Sequence, residues 1–401
     1  MGNYAYLVMV NGDANNNKYY RMTEQGSTFL AEYGRVGATS QRKNYPMTRW
    51  YEIYNQKIRK GYTDQTHLHV APKVVIGGGD YKEIEDSAVR WLVNVLLSSS
   101  RQYIKQNYRA SSDEVTEAMV REAKKILNSL RMDMSKWYFN DQLIQLFSVI
   151  PRKMSDVQPY LANQGTPEEY SKIVQREQHL LEAMAGQVYT NAMASQLDEA
   201  GTRREEKNIL DSMGLSIRPC TEKENAEIIK YMTPESAMHF DKAFRVYNKK
   251  VSERLDAYMA EQHIRKAHYL YHGSATQNFW NIITMGLDIN PNAITAGKMF
   301  GNGTYFANRA KKSIRYTDLP GQNNLHSPSS SQSFLSVFKV AYKKAYDIHT
   351  WENEHTKLNY DKVKALGCDA VFAHKGQSLI NDEIIVYQNC QSAPHYLIAM
   401  K

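Results

Sequence analysis

The sequence predicts a multidomain α+β protein, and three observations carry this prediction. The chain has 401 residues, which is longer than one typical domain. The segment 77–80, Gly-Gly-Gly-Asp, is the clearest linker in the chain. Residues 81–200 are poor in Pro and Gly and predict helices, whereas strand-like segments recur after residue 207. We therefore predict three domains, which comprise residues 1–76, 81–200 and 207–401.

The first domain carries an excess of positive charge. Residues 1–76 hold ten Lys and Arg against five Asp and Glu, while the whole chain has a net charge of +8. Short strands are predicted at 4–10, 18–23 and 27–36, and a helix at 47–59. This combination is typical of a small nucleic-acid-binding module. By charge alone, an ordinary basic surface is the alternative interpretation.

The middle region has the pattern of packed helices. Ser111-Ser112-Asp113-Glu114 matches a capping box and predicts that a helix begins there. Another helix is predicted at about 167–196, with Pro167 in its first turn. The apolar residues after the capping box fall on one helical face, which predicts a core stripe and no catalytic feature. That stripe comprises Met119, Ala123, Ile126, Leu127 and Leu130.

The last region predicts a mixed, mostly antiparallel sheet with helices. We expect a strand from Ile209 through Arg218, and a surface loop at 319–333 because this stretch is rich in Pro, Gly, Asn and Ser. Further strands are expected at 243–249, 334–342, 344–348, 369–374 and 383–388, and helices at 224–232 and 251–267.

Cysteine usage and the apolar runs bear on the compartment. Cys220, Cys368 and Cys390 lie far apart and show no metal-ligand spacing, which argues for a reducing compartment and against a disulfide framework or zinc site. The N-terminus has no signal-peptide pattern, and no apolar run approaches the length of a membrane span. We therefore expect a soluble, intracellular protein with no metal and no membrane partner.

Two short motifs and one glutamate are candidates for chemistry. His272-Gly273-Ser274 follows an apolar run and so lies at the end of a predicted buried strand. Residues 297–307 contain three glycines among apolar and aromatic residues, which suits a backbone that bends tightly and approaches a ligand closely. Glu383 precedes an apolar strand near the C-terminus. Each feature alone is common in proteins as a turn or a solvated strand end.

In their order and spacing, these features and the stretch Lys311–Tyr316 resemble the donor site of the poly(ADP-ribose) polymerase family. Asn381–Tyr387 looks like the family's catalytic-glutamate strand. The resemblance implies an ADP-ribosyltransferase fold for residues 207–401. It also implies cleavage of the nicotinamide–ribose bond of NAD+ with transfer of ADP-ribose, through an oxocarbenium-like transition state. The family's catalytic triad would be His272, Tyr305 and Glu383.

The resemblance also assigns roles around the donor NAD+. Glu383 would bond the nicotinamide-ribose 2′-hydroxyl, stabilise the cationic transition state and polarise an acceptor hydroxyl, with Lys312 in contact with its carboxylate. A glutamate here permits chain extension into poly(ADP-ribose) without requiring it. Other pocket residues would hold the carboxamide, stack on the nicotinamide and bond the adenosine ribose. These are, in turn, Gly273 with Ser313, Tyr305 with Tyr316, and His272 with Ser274.

Two positions depart from the family's pattern. Lys298 stands where the family often has an aromatic or apolar residue, and Asp288 stands where a basic residue often helps to bind adenosine. Residues 288–297 form a short donor loop. These departures bear on the affinity for NAD+ and on the choice of acceptor more than on the reaction.

The first domain resembles the WGR domain. Tyr33–Gly37 and the helix end Lys57–Tyr62 carry the resemblance, with Tyr33 in place of the tryptophan. The resemblance implies that Tyr33, Gly34 and Arg35 contact DNA, where Tyr33 stacks on a sugar or base at a DNA end with less area than a tryptophan. A strand twist with a surface arginine is the alternative interpretation.

The middle region resembles, by its position, the family's autoinhibitory helical domain. That domain packs over the NAD+ site and loosens when DNA binds, and Leu180-Leu181-Glu182 looks like its helix that faces the donor site. The combined resemblance implies a poly(ADP-ribosyl)transferase that DNA ends or nicks activate and that modifies protein acceptors, itself included, in the DNA damage response.

Two alternative functions stay open at this point. One is a mono-ADP-ribosyltransferase that RNA or protein regulates, and the other is a DNA-end-binding scaffold with weak transfer activity. The expected location is the nucleus for a eukaryotic protein and the cytoplasm for a bacterial or viral one.

Overall fold

The computed structural model describes residues 3–11, 16–35, 39–69, 81–110, 112, 114–199, 207–289, 299–321 and 332–401. Several features named above lie outside the described residues: the linker 77–80, Val36, Gly37, Ser111, Asp113, Lys298 and most of the loop 288–297. The chain divides into two compact units. One lies within Met1–Val75 and Ile104–Asn191, and the other within Ile76–Tyr103 and Ala192–Lys401.

The first unit begins with an antiparallel sheet and a helix that share one core. The elements are β1 Tyr4–Asn11, β2 Asn16–Gln25, β3 Thr28–Arg35, β4 Gln41–Pro46, α1 Trp50–Arg59, β5 Thr63–Asp64 and α2 Thr66–His69. The strands lie in the order β4-β3-β2-β1-β5. Leu7, Met22 and Phe29 point inward and pack with Trp50 and Ile53 of α1.

The three predicted strands of this region are confirmed, and the predicted helix begins at Trp50 after a short 3-10 turn. No apolar pattern indicates β4, because its residues Gln-Arg-Lys-Asn-Tyr-Pro are polar and mostly exposed. Charged residues and proline on an edge strand discourage pairing with another chain. β4 is instead specified by its partner β3, on which Phe29 lies opposite Tyr45.

Helices follow the sheet. They are α3 Ser87–Asn107, α4 Glu117–Ser129, α5 Lys136–Val149 and α6 Pro167–Glu199, and the boundary between the two units falls inside both α3 and α6. The predicted stripe on α4 is confirmed, since all five of its residues are buried. The predicted helix from about 167 is also confirmed, with Pro167 as its first residue.

The predicted start of α4 is wrong. Its N-cap is Thr116, whose hydroxyl accepts the Met119 N–H at 3.1 Å, and the helix begins at Glu117. Val115 is buried directly before this cap, so that the chain packs into the core before it turns into the helix. A Ser-x-x-Glu motif can occur without capping a helix. The packing of Val115 is what distinguishes the observed start at Glu117 from the start predicted at Ser111–Glu114.

The described part of the second unit contains two sheets. Their strands are β6 Leu215–Pro219, β7 Phe240–Asn248, β8 His268–Gly273, β9 Thr304–Phe306, β10 Ser333–Val340, β11 Ala345–Ile348, β12 Ala370–Ala373, β13 Glu383–Val386 and β14 Ser392–Met400. One sheet has the order β6-β7-β14-β10-β8 and the other β11-β12-β13-β9. Only β11 and β12 pair in parallel, which confirms the mixed, mostly antiparallel arrangement. A backbone bridge between Tyr271 and Ala307 joins β8 to β9 and so connects the sheets.

The helices of the second unit correct two expectations. They are α7 Ile209–Ser212, α8 Glu222–Tyr231, α9 Pro234–Ala237, α10 Lys249–Glu261, α11 Phe279–Met285, α12 Ala310–Ile314 and α13 Tyr360–Ala365. The strand predicted from Ile209 is wrong in its first half, because Asn208 caps α7 and Gly214, with φ +63°, turns the chain into β6. α10 ends at Glu261 and not near 267, since His263 adopts φ 56° and breaks the helix.

Within the described ranges, no helix is both long and apolar enough to cross a membrane. The same residues contain no group of three or more His, Cys, Asp or Glu side chains that could hold a metal ion.

Candidate active site and nucleic-acid interface

The end of β8 positions the first motif. Leu270 and Tyr271 are buried, and the backbone bridge from Tyr271 to Ala307 has N–H···O distances of 2.8 and 3.0 Å. His272 Nδ1 lies 3.1 Å from the carbonyl oxygen of Tyr305 on β9. Because a carbonyl oxygen only accepts, Nδ1 carries the proton in the neutral ring and Nε2 is an acceptor. This tautomer suits a histidine that accepts a hydrogen bond from a ribose hydroxyl.

Only glycine fits at position 273. A Cβ there would lie 1.8 Å from the carbonyl oxygen of Ser313 and 3.2 Å from the Cβ of Tyr316. Ser313 is buried and donates its hydroxyl to a carbonyl of β8 at 3.1 Å, so α12 packs directly against the end of this strand. Ser274 accepts a hydrogen bond from Asn278 at 3.0 Å. Four predicted pocket residues therefore come together where β8 meets α12.

Tyr305 is fixed by the turn that precedes β9. Its hydroxyl accepts the Phe300 N–H at 3.0 Å and donates to the Gly301 carbonyl at 2.9 Å. Burial raises the pKa of Tyr305 above the ordinary range of tyrosine, so that the hydroxyl stays protonated and keeps both hydrogen bonds. The ring is thus held at its far end, as a rigid stacking surface requires. Tyr316 is 45% exposed.

Glu383 opens β13 and lies on the same sheet face as Tyr305. β13 pairs with β9 so that Ile385 lies opposite Tyr305. Side chains alternate along a strand, and Glu383 therefore shares the face of Ile385 and Tyr305. Glu383 as a whole residue is 8% exposed, at the start of a strand that is otherwise closed to water. This position meets the expectation of a partly desolvated carboxylate.

Lys312 forms an ion pair with Glu383, which confirms the expected contact. The two side chains are 16% and 11% exposed, so neither is fully removed from water. Burial lowers the pKa of the Lys312 amine to about 8, with Arg315 acting in the same direction and Asp382 against it. The Glu383 carboxylate also favours the charged amine, because opposite charges in contact stabilise each other.

Asp382 supports this pair, and no motif indicates its role. Its two carboxylate oxygens accept from Asn308 at 2.9 Å and from the Lys375 N–H at 2.8 Å. Although burial acts to raise it, these hydrogen bonds hold the pKa of Asp382 below its ordinary value. They fix the turn before Glu383 to the end of β9. Asn308 and Asp382 lie 74 positions apart in the chain, so only the fold reveals the contact.

The elements β8, β9, α12 and β13 therefore bring together all the sequence-predicted site residues of the second unit. An ionised carboxylate beside a rigid aromatic ring can stabilise positive charge on a ribose as nicotinamide departs. His272 and the contact of Gly273 with Ser313 lie on the neighbouring strand end, where they can position the rest of a dinucleotide. The individual roles of these residues stay predictions.

The predicted DNA-contact residues lie together on β3 of the first unit. Tyr33 stacks on Tyr20 with ring centroids 5.1 Å apart, so that one face of its ring is already covered. The Lys57 amine lies 3.9 Å from the Tyr20 ring centre and 5.6 Å from that of Tyr33. Gly34 lies close to the two residues that precede β4, since a Cβ there would lie 3.4 Å from the Thr39 carbonyl oxygen. Whether these residues contact DNA stays a prediction.

Arg35 reaches the helical part of the same unit. Its Nη2 donates to the Ser155 carbonyl at 2.6 Å. Three positions earlier in the chain, Arg152 lies at the centre of a buried network: it pairs with Glu177 of α6 and donates to the Asn107 carbonyl at the end of α3. The side chains of Arg152 and Glu177 are each 2% exposed. Arg35, which is expected to contact DNA, therefore binds the chain three residues from Arg152, the residue that connects α3 to α6.

Comparison with known proteins agrees with the geometry. Residues 222–401 match the poly(ADP-ribose) polymerase catalytic domain, and residues 4–68 match the WGR domain. The "Putative poly [ADP-ribose] polymerase-like 100L" of Invertebrate iridescent virus 6 is 30% identical over 39% of this chain and 86% of its own length. The "Uncharacterized protein 101L" of the same virus is 31% identical over 47% and 79%, respectively. "Poly [ADP-ribose] polymerase 1" of Xenopus laevis is 32% identical over 33% of this chain but only 15% of its own length.

The fold of the second unit, its site and these matches define an NAD+ ADP-ribosyltransferase, for which NAD+ is the substrate. The chain belongs to the poly(ADP-ribose) polymerase family and contains its WGR and catalytic domains.

Proposed function

We propose that this transferase is switched on by DNA ends or nicks and extends poly(ADP-ribose) chains on proteins, itself included, in the response to DNA damage. The observation that carries the DNA dependence is the hydrogen bond from Arg35 to the Ser155 carbonyl. Arg35 is a predicted DNA contact of the WGR domain. Through this hydrogen bond it also binds the backbone of the helical region at Ser155. A phosphate that recruits the Arg35 guanidinium competes with this carbonyl, because anions bind arginine more strongly than neutral acceptors do.

The segment after α5, which contains Arg152 and Ser155, connects the WGR sheet to helices α3 and α6. Asn17 of β2 donates to the Arg152 carbonyl at 3.4 Å, so that the WGR sheet contacts this segment at a second point. The Arg152 side chain, in turn, ties α6 at Glu177 to the end of α3 at Asn107. Both helices run across the boundary between the two units. A shift near Ser155 therefore acts on the two helices that lead into the catalytic unit.

The helical region is the element that we propose restrains the transferase until DNA binds. Leu180 and Leu181 are buried in the helical core, and Glu182 accepts from Gln178 at 3.0 Å. Their predicted position near the donor site is part of this proposal. Loosening of α6 would then release access to NAD+, as expected of a two-state element that a ligand biases.

The ion pair between Lys312 and Glu383 supports the proposal that the enzyme extends poly(ADP-ribose) chains. Transfer to a ribose hydroxyl requires an ionised carboxylate that accepts the proton as the new glycosidic bond forms. The contact with Lys312 favours the charged form of the Glu383 carboxylate and orients it. We further propose a nuclear location in a eukaryotic cell, where broken DNA and protein acceptors are present together, and a cytoplasmic one for a bacterial or viral protein.

The decisive experiment measures ADP-ribose incorporation from labelled NAD+ by the purified chain, with and without 5′-phosphorylated nicked or blunt duplex. We expect a ladder of extended products that depends on DNA. Arg35→Ala should reduce the stimulation by about tenfold, since a hydrogen bond to a charged group contributes roughly 1.5–3 kcal/mol. It should also raise the unstimulated rate, because the bond to Ser155 that restrains the helical region is lost. Arg121→Ala is the matched control, because Arg121 is an exposed arginine of the same unit and, within the described residues, forms an ion pair with Glu117 on its own helix.

Other results of the incorporation assay would favour a different function or contradict the proposed coupling. Activity that ignores DNA keeps the transferase and discards the restraint by the helical region. Stimulation by RNA with single ADP-ribose units as product favours the mono-ADP-ribosyltransferase. Tight DNA binding without incorporation favours the scaffold. Unchanged stimulation in Arg35→Ala contradicts the coupling through Ser155.

A further inference from the structure

One face of the sheet β6-β7-β14-β10-β8 is covered along only part of its length. Ala243, Leu335 and Ile398 lie on this face and are buried beneath α8 and α12. The register continues the same face toward its other end: Tyr396 lies opposite both Arg245 and Val337, and Tyr269 lies opposite Lys339. Because side chains alternate along strands, Arg245, Tyr396, Lys339 and Tyr269 all project from the face that these helices cover elsewhere.

Three aromatic rings and one guanidinium lie in contact with one another at this end of the face, and we call this group the tyrosine platform (Tyr269, His395, Tyr396 and Arg245). Tyr269 and His395 have ring centroids 4.6 Å apart, and His395 and Tyr396 4.4 Å. The Arg245 guanidinium lies 5.2 Å from the Tyr396 ring centre and also contacts the His395 ring. Tyr269 is 54% exposed and Tyr396 is half-buried, whereas His395 is only 5% exposed and supports the two tyrosine rings from between them. The rings span two strand spacings, from β8 to β14, and the platform spans three, about 14 Å, when Arg245 on β7 is included.

The platform carries positive charge without a matching carboxylate. Among the described residues, neither Arg245 nor Lys339 forms an ion pair with an acidic side chain, and the nearby Glu224 is held by both arms of Arg218. Burial lowers the pKa of His395 to about 3, with Arg245 and Lys339 acting in the same direction and Glu224 against it. His395 is therefore a neutral ring at physiological pH, and the charge of the platform comes from Arg245 and Lys339.

We propose that the tyrosine platform binds single-stranded nucleic acid. Planar rings on a sheet face stack on bases regardless of sequence, and flanking cations neutralise the phosphates between them. Charge complementarity selects a polyanion, and the ring row selects one whose planar groups are unstacked. A duplex does not meet the second condition, because its bases are stacked on each other. The platform is thus separate from the duplex-end contact proposed for Arg35.

The test is fluorescence anisotropy of the whole chain with a fluorescein-labelled oligodeoxyadenylate. Excess unlabelled blunt duplex is present throughout, so that the WGR domain is occupied. Tyr269→Ala should weaken binding by about tenfold, as expected for one lost base–aromatic stack, and Tyr269→Phe should retain it. Tyr231→Ala, which removes a tyrosine 74% exposed on α8 of the same unit, should have no effect.

Salt dependence tests the cation separately. Lys339→Met should reduce the slope of log affinity against log salt by about 0.7, the value for one phosphate contact on a single strand. Lys362→Met, at an exposed lysine of α13, should leave the slope unchanged. Melting temperatures of all variants are compared, so that loss of folding is recognised.

Three results would overturn the proposal. The first is unchanged affinity in Tyr269→Ala, and the second is an equal loss in Tyr231→Ala. The third is binding of ADP-ribose chains, but not of the oligonucleotide, that Tyr269→Ala removes, because the ligand would then be the product of the enzyme. None of these results depends on whether DNA ends activate the transferase.

Discussion

Two ion pairs in this protein have the same chemistry and opposite surroundings. In the helical region, the side chains of Arg152 and Glu177 are each 2% exposed, and both make further hydrogen bonds. In the catalytic domain, Lys312 and Glu383 are 16% and 11% exposed and lie at the edge of the site. One pair is enclosed within a core, and the other remains in reach of a ligand.

The number of supporting contacts accounts for the difference. Glu177 is bonded by two arginines, with Arg176 Nε at 3.0 Å from its second oxygen. Arg152 also donates to the Asn107 carbonyl and lies 5.0 Å from the Tyr108 ring centre. A planar guanidinium can make all these contacts at once, whereas the ammonium of Lys312 is a compact charge on a flexible stem. Arginine thus suits the structural pair, and lysine suits a carboxylate that must act.

The enclosed pair should have the largest effect on stability. Glu177→Ala leaves the Arg152 charge buried with one carboxylate fewer, which costs about 3–5 kcal/mol of the free energy of unfolding. Urea unfolding of the whole chain, followed by far-UV circular dichroism, measures this loss. Glu168→Ala, at an exposed position in the first turn of the same helix, should change stability by less than about 0.5 kcal/mol. Equal effects of the two variants would remove the distinction between the pairs.

The open pair should have its effect on the reaction. Glu383→Gln keeps the shape and removes the charge, so that kcat should fall by about 10²–10³-fold, the usual loss for a group that stabilises transition-state charge. Chain extension should be abolished, while DNA binding stays unchanged because the WGR domain is intact. Labelled NAD+ incorporation and duplex anisotropy measure the two quantities. A parallel loss of DNA affinity would contradict the separation of the two domains.

The residues of the candidate site could be named from the sequence because each lies in a short segment that resembles the family, whereas nothing in the sequence indicated the helical pair. His272, Gly273 and Ser274 are adjacent, and Glu383 directly precedes its apolar strand, so a short motif contains the information. Arg152 and Glu177 belong to residue types that are usually exposed, and nothing local indicates that each will be buried by the other. Their pairing depends on where α5, α6 and the end of α3 meet.

The same distinction holds for the fold. Apolar periodicity predicted the stripe of α4 and the strands β10 and β13, since burial of one face produces the pattern. It missed β4, whose order comes from hydrogen bonds to β3 and not from buried side chains. The turn at Gly214 was also missed, because a glycine between apolar residues fits a strand as well as a positive φ.

The pH dependence sharpens the comparison further. Lys312 has its pKa lowered by burial, so that the charged pair with Glu383 is present at low pH and is lost within the interval between about 8 and the ordinary 10.5 of lysine. We expect kcat to decline with a midpoint in this interval. Lys312→Met should lower kcat by about tenfold and remove the decline. The free energy of unfolding should change in the opposite direction to kcat. Between these pH values the unfolded chain binds more protons than the folded chain, so the stability lost by burying charged Lys312 is regained as pH rises.

Of the three ion pairs compared, the exposed pair Arg218–Glu224 should contribute least to the free energy of unfolding. Both arms of Arg218 bond Glu224, each at 2.8 Å, but the side chains are 50% and 20% exposed. The hydrogen bonds from Arg218 lower the pKa of Glu224 to about 2, with the Thr221 backbone N–H acting in the same direction. Water screens such a pair, and Arg218→Met should therefore cost less than about 1 kcal/mol of unfolding free energy.

The sign of this small contribution can be tested by acid. The pKa of Glu224 is lowered on folding, so the stability from the pair is present above its ordinary value of 4.5 and is lost as pH falls toward about 2. Thermal unfolding of the wild-type chain and of Arg218→Met should therefore differ at neutral pH and converge in acid. A difference as large as that of Glu177→Ala would show that bidentate geometry outweighs burial, and the contrast between the enclosed and open pairs would need another cause.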